Sequence, residues 1–176
     1  MKKLFSLLIV AAMAGTASAA SIDWTLKGSS FTTSDGSATR AADYLVVAIL
    51  ASDLDSAVSA ISTVNTDSSA FESYVKSSGT TAKTGATSGS FTVSQDSGVS
   101  IPLVLIAFDA KKYEDATHYL VSGTESGTTY EPPATPVTAT FNSTSYSGKS
   151  WVAIPEPSVA LMGLLGLGML LKRRRA

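Results

Sequence analysis

Two continuous apolar runs stand out from the otherwise polar body of the chain, residues 20–154: YLVVAIL at residues 44–50 and IPLVLIAF at residues 101–108. Each is too short for a typical globular helix, is rich in branched side chains and is bounded by polar residues. That is the pattern of a strand buried on both faces. Around them the pattern is alternation. Ile22, Trp24 and Leu26 alternate with Asp23 and Thr25, and Phe91 and Val93 with Thr92 and Ser94, as half-buried strands require. Further short strands are predicted at residues 119–121, 137–141 and 151–154. The Gly/Ser clusters at residues 85–89 and 123–129 read as turns, and Pro132, Pro133 and Pro136 as an extended connection, since proline cannot donate into a ladder.

One stretch has helical spacing instead. After Ser52 and Asp53, either a good N-cap, the apolar residues fall at Leu54, Val58, Ile61 and Val64, on one helical face. Phe71 and Val75 repeat an offset of four within residues 68–76, where Ser, Thr and Gly dilute helix propensity. The predicted fold class is mainly β (α+β). It is an antiparallel sheet or sandwich with one or two short helices inserted after the second strand, plus a C-terminal hydrophobic helix. No repeat of solenoid or propeller length is visible.

At 176 residues the chain has room for one domain and accessory segments. Its charges are unevenly placed. Six of the 13 Lys and Arg residues lie at the two ends, leaving residues 20–154 with seven cations against thirteen acids. Such a body lacks the basic footprint of a nucleic-acid binder. The absence of cysteine excludes a disulfide framework and any thiolate-based metal or redox site. Residues 20–154 also hold 25 Ser and 19 Thr, a composition that suits disorder or a glycosylated stalk; the two buried-strand runs argue for a folded body.

The ends read as addresses. Residues 1–19 combine Lys2 and Lys3, an apolar stretch at residues 4–13, and Ala17-Ser18-Ala19. Small side chains at Ala17 and Ala19 fit a signal-peptidase pocket, so residues 1–19 are expected to be a signal peptide cleaved after Ala19. The apolar stretch would make only about 15–18 Å of helix against a bilayer core of about 30 Å. At the other end Pro155-Glu156-Pro157 precedes thirteen apolar or Gly residues, 159–171, and then Lys172, Arg173, Arg174 and Arg175. The prolines keep their segment extended. The basic cluster resists translocation and serves as a cytoplasmic anchor, which puts the body outside. Thirteen residues give a helix of only about 20 Å, short for a permanent span.

In this order of parts, residues 154–176 resemble the PEP-CTERM sorting signal of Gram-negative bacteria, also catalogued as an ice-binding-protein C-terminal region. The resemblance implies that an exosortase, an integral-membrane cysteine protease or transpeptidase, reads Pro155, Glu156 and Pro157 and removes the tail. It implies export through a transient inner-membrane anchor to the outer surface or extracellular matrix. Residues 104–110 and 117–121 are similar to segments of small uncharacterised exported proteins that carry this tail, a likeness that implies no activity. The expected organisation is a signal peptide at 1–19, a β-rich exported domain at 20–153, and a sorting signal with a short transmembrane helix at 154–176.

Candidate chemistry in the body is thin. His118 is the sole histidine, and a Ser-His-Asp set can be written with Asp109 or Asp115, yet no Gly-x-Ser-x-Gly elbow exists. A surface position just before a short strand is the simpler reading. Asp43, Asp53 and Asp55 lack the further acids and the glycine of a calcium loop, and helix capping explains Asp53. Asp109, Glu114 and Asp115 could be drawn as paired carboxylates, but Lys111 and Lys112 intervene and suggest a mixed surface loop. Asn142-Ser143-Thr144 reads as a turn. Thr138 and Thr140 are the one Thr-x-Thr step in a strand, too little for a lattice-matching ladder. No catalytic residue, metal or cofactor is expected. The reading is a non-enzymatic structural or adhesive protein with signal peptidase, exosortase, the membrane (before processing) and exopolysaccharide as partners. The alternative is a small carbohydrate- or ligand-binding module, for which Trp24, Tyr44, Tyr119, Tyr130, Tyr146 and Trp151 offer stacking platforms.

Overall fold

The computed structural model describes residues 19–38 and 41–155. Ala17, Glu156, Pro157, the 159–171 stretch with its expected transmembrane helix, and Lys172, Arg173, Arg174 and Arg175 lie outside the described residues. No helix among the described residues is long and apolar enough to cross a membrane.

The body is mainly β, as the alternation predicts. Among the described residues nine strands run β1 Ala19–Leu26, β2 Leu45–Leu50, β3 Ser77–Thr80, β4 Thr87–Ser94, β5 Ser100–Phe108, β6 His118–Val121, β7 Glu125–Thr128, β8 Ala139–Phe141 and β9 Val152–Ala153. They form a three-stranded sheet in the order β4-β1-β8 and a six-stranded sheet in the order β3-β2-β5-β6-β9, with β7 also on β5. Pairing is antiparallel throughout except between β1 and β8, which are parallel. The two sheets meet where Thr128 N–H donates to the Val137 carbonyl at 2.8 Å.

The two apolar runs are neighbours at the centre of the larger sheet, with Leu45 opposite Phe108 and Leu50 opposite Leu103. Successive side chains of a strand point to opposite faces, and each face here has its own core. Val46, Ala48, Leu103, Leu105 and Ala107 face the small sheet, where Ile22, Trp24, Leu26 and Phe141 meet them. Val47, Ile49, Val104, Ile106 and Phe108 face the helical segment. A continuous apolar sequence is what a strand covered on both sides needs. The N-terminal end of β5 escapes this rule, since Ser100 and Pro102 are exposed.

The helical layer follows β2, as expected: a 3-10 turn Ala51–Asp53, helix α1 Leu54–Ala60 and a second 3-10 turn Ile61–Thr63. Ala57, Ile61 and Val64 are fully buried on the larger sheet. Capping differs from expectation. Asp53 makes no side-chain cap bond, because the chain enters α1 already coiled (φ −97°, ψ 0°) instead of from the extended geometry that a capping side chain needs. Ser52 Oγ turns to Asp53 Oδ1. The second helix shrinks to one turn, α2 Ser69–Glu72, which buries Phe71 against Phe108 and Tyr113.

Two strands were invisible to the hydrophobic pattern. Residues 123–129, read as a turn, contain β7, which pairs with β5 from Ser100 to Leu103. Its Gly127 is buried, and a Cβ there would lie 3.0 Å from Ile22 Cγ1 and 3.1 Å from the Ala139 nitrogen. The glycine therefore permits close approach of the two sheets. β3, in SSGT, is likewise an edge strand without a hydrophobic residue. The turn predicted at residues 85–89 is real only to Ala86, with Gly85 at φ +77°, and β4 begins at Thr87. The strand predicted at 137–141 starts at Ala139; Val137 makes a single bridge to Thr128 and stays exposed.

Candidate functional site

Where β5 ends and β6 begins, Asp109 gathers four donors. Its Oδ1 accepts from Thr117 N–H at 2.8 Å and His118 N–H at 2.9 Å. Its Oδ2 accepts from Thr117 Oγ1 at 2.7 Å and lies 3.1 Å from His118 Nδ1. The Asp109 side chain is 7% exposed and that of His118 39%. Burial raises the Asp109 pKa, but the bonds from His118 and Thr117 outweigh it and hold the carboxyl below its usual value. His118 is thus more than the surface residue its sequence position suggests; it is half-buried and paired. The arrangement closes the loop over residues 110–116. Asp115 stands outside it, and no described serine hydroxyl bonds to His118.

The same corner holds the end of the folded body. β9 pairs Ala153 with His118 and Val152 with Tyr119, and Ile154 N–H donates to the Thr117 carbonyl at 2.8 Å. Ile154 is buried in the core beneath the helical layer, and Pro155 is exposed. The first residue of the expected sorting motif therefore follows the last anchored residue directly. At the opposite terminus Ala19, the residue before the expected signal-peptidase cut, is the exposed first residue of β1, and Ala20 is buried.

Five of the six aromatics proposed as stacking platforms, all but Tyr130, pack on the two cores. Trp24 and Tyr146 are buried. Tyr44 and Trp151 meet edge-on at 5.5 Å and both contact Phe31, while the Trp151 indole donates to the Thr32 carbonyl at 3.0 Å. Tyr146 tilts on Phe31 at 4.9 Å, and burial pushes its phenol far above the usual value. Tyr119 packs on the helical core. Tyr130 donates to Asp23 Oδ1 at 3.3 Å, and both desolvation and that carboxylate raise its pKa.

A surface that sequence reasoning missed lies on the outer face of the small sheet. A groove of about 620 Å³ is lined by Asp23, Thr25, Ser88, Ser90, Thr138 and Thr140, with Trp24 and Gly89 between them. These six are the outward positions of alternating strands, so the signal was present as the polar half of each pattern. A smaller cleft of about 340 Å³ opens beside Leu50, Lys76, Val93 and Ile101.

The remaining candidates are structural. Asp43 pairs with Lys111 at 3.1 Å on the surface. No group of three or more His, Asp or Glu side chains among the described residues could hold a metal ion. Asn142 Oδ1 accepts from Thr144 N–H at 2.8 Å, the expected turn after β8. No family model, curated protein or solved structure matches this chain.

Proposed function

We propose that this is an exported surface or extracellular-matrix protein with a non-enzymatic, structural or adhesive body, whose tail is read and removed by an exosortase. The observation that carries the reading is the junction at Ile154. The body ends with a buried, hydrogen-bonded isoleucine, and Pro155-Glu156-Pro157 begins immediately beyond it. A protease needs its motif extended and unpaired, and a motif that begins two residues past the final strand, directly after the hydrogen-bonded Ile154, can be read without unfolding the body. The 159–171 stretch then holds the motif at the membrane face, and Lys172–Arg175 keeps the tail's end cytoplasmic. Asp109 supports a structural body, since its acceptor positions are taken up in closing a loop.

Two variants separate recognition from anchoring. Glu156→Ala keeps the apolar stretch and its basic end, and it should leave the protein membrane-retained and uncut. Replacing Lys172, Arg173, Arg174 and Arg175 with Ser should disturb orientation before any cut. The readout is the mass and location of the mature form in hosts with and without exosortase. Processing that survives Glu156→Ala, or proceeds without the enzyme, refutes the reading.

A further inference from the structure

We propose that the outer face of the small sheet is a binding groove for a neutral polysaccharide, with Thr25, Ser88, Ser90, Thr138 and Asp23 as its hydrogen-bonding floor. This rests on the adhesive reading of the body and gives it a surface and a partner class.

The strand registers set the geometry. Thr25 pairs with Ser88 on one side and Thr140 on the other, so three hydroxyls line up across β4, β1 and β8. Asp23 pairs with Ser90, and Thr138 precedes Ala139 on the far strand, which makes a second line beside the first. Lines of this kind repeat about every 6.8 Å along a strand, with members about 4.8 Å apart. The hydroxyls of Thr25, Ser88, Ser90 and Thr138 make no hydrogen bond to another described residue, so each is available to a ligand.

The chemistry of the groove selects its occupant. Its outward side chains are hydroxyls and one carboxylate, and no Lys or Arg among the described residues lines it. A phosphate-bearing ligand would lack a counter-charge there. A polyanion would face Asp23 and a body whose acids outnumber its cations. The buried centre of a protein interface is apolar, and the apolar residues of β1 and β8 point inward. A neutral sugar polymer both donates and accepts along its length, so its hydroxyls can bond to the Ser and Thr side chains and donate to the free lone pairs of Asp23. The groove volume falls within the usual range of ligand sites, about 300–1,000 Å³. Single hydroxyl contacts exchange with water at little net gain, so binding would be weak per sugar and would accumulate along a chain.

Affinity electrophoresis suits weak polymer binding. The full chain, purified in a polyoxyethylene detergent whose headgroup carries no sugar, is run in gels containing hydroxyethylcellulose, dextran, mannan or alginate. Retardation by at least one of the three neutral polymers, exceeding that by alginate, is expected. Thr25→Val/Ser88→Ala/Thr138→Val removes three hydroxyls from outward strand positions and should weaken retardation at least about tenfold, with an unchanged thermal unfolding curve. Asp23→Asn, a change of one atom, gives an independent reading and should weaken it less. No retardation of the wild type by any neutral polymer overturns the proposal, as does stronger retardation by alginate, or a folded triple variant that binds like the wild type. Those outcomes leave the processing of the tail untouched, because that is read in cells by mass.

Discussion

Replacing Asp109 with alanine takes the acceptor away from four donors at once, and the size of the loss can be worked from their surroundings. A hydrogen bond to a charged group contributes about 1.5–3 kcal/mol net. Thr117 is exposed, so its N–H and hydroxyl regain water, and most of the loss falls on the half-buried His118. We expect about 2–4 kcal/mol in all, a large share of a typical total of about 5–15. Asp109→Asn retains one oxygen and should cost about half as much. The pH dependence separates this from simple loop damage. Folding lowers the Asp109 pKa, so its contribution is complete above the unfolded value of about 3.9 and disappears as pH falls through the lower native value. Urea unfolding followed by tryptophan fluorescence at pH 7 and at about pH 2.5 should show the gap between wild type and Asp109→Asn closing in acid. A gap that is equal at both values, or absent at pH 7, would refute the assignment of Asp109 as the charged clasp of this corner.

Three further outcomes are expected. Leu105, fully buried between the sheets, becomes an unpaired buried carboxylate in Leu105→Asp, which should abolish folding; a soluble variant with an unchanged unfolding curve would show that the run is not core. Gly89→Ala places a Cβ 2.5 Å from Ser77 Oγ and 2.8 Å from Trp24 Nε1, and should cost about 1–3 kcal/mol, seen as a lower unfolding temperature with altered Trp emission. Burial, and then Glu72, push the Tyr113 phenol up to about 12, and burial raises Tyr146 further; both contribute stability that is complete below about pH 10 and lost as pH rises beyond it, so spectrophotometric titration should find these two ionising last, together with alkaline unfolding.

The parts legible in the sequence were those where burial is dense. Residues 44–50 and 101–108 declared their strands because both faces are covered, and Leu54, Val58, Ile61 and Val64 follow a helical face because one sheet lies beneath them. β3 and β7 were illegible because their order comes from backbone pairing to β2 and β5, with Ser, Gly and Thr side chains that bury little. The Asp109 corner was half legible. Asp109 and His118 could be named, but their contact depends on the antiparallel pairing of Phe108 with Tyr119, which no local spacing encodes. The groove was hidden for a different reason: its residues come from three strands far apart in sequence, and only the register aligns them.

β1 is the first of the described strands and sits in the middle of its sheet, between β4 and the late strand β8. A chain made from its N-terminus forward cannot complete that sheet until nearly all of it exists. Contacts that span most of a sequence close slowly, because the intervening loop must first be gathered. The body is consequently expected to fold as one late, cooperative event rather than in the order of synthesis. Until that moment Ile22, Trp24 and Leu26 have no core to enter. A chain with this wiring acquires its final shape only after its last strands have been made.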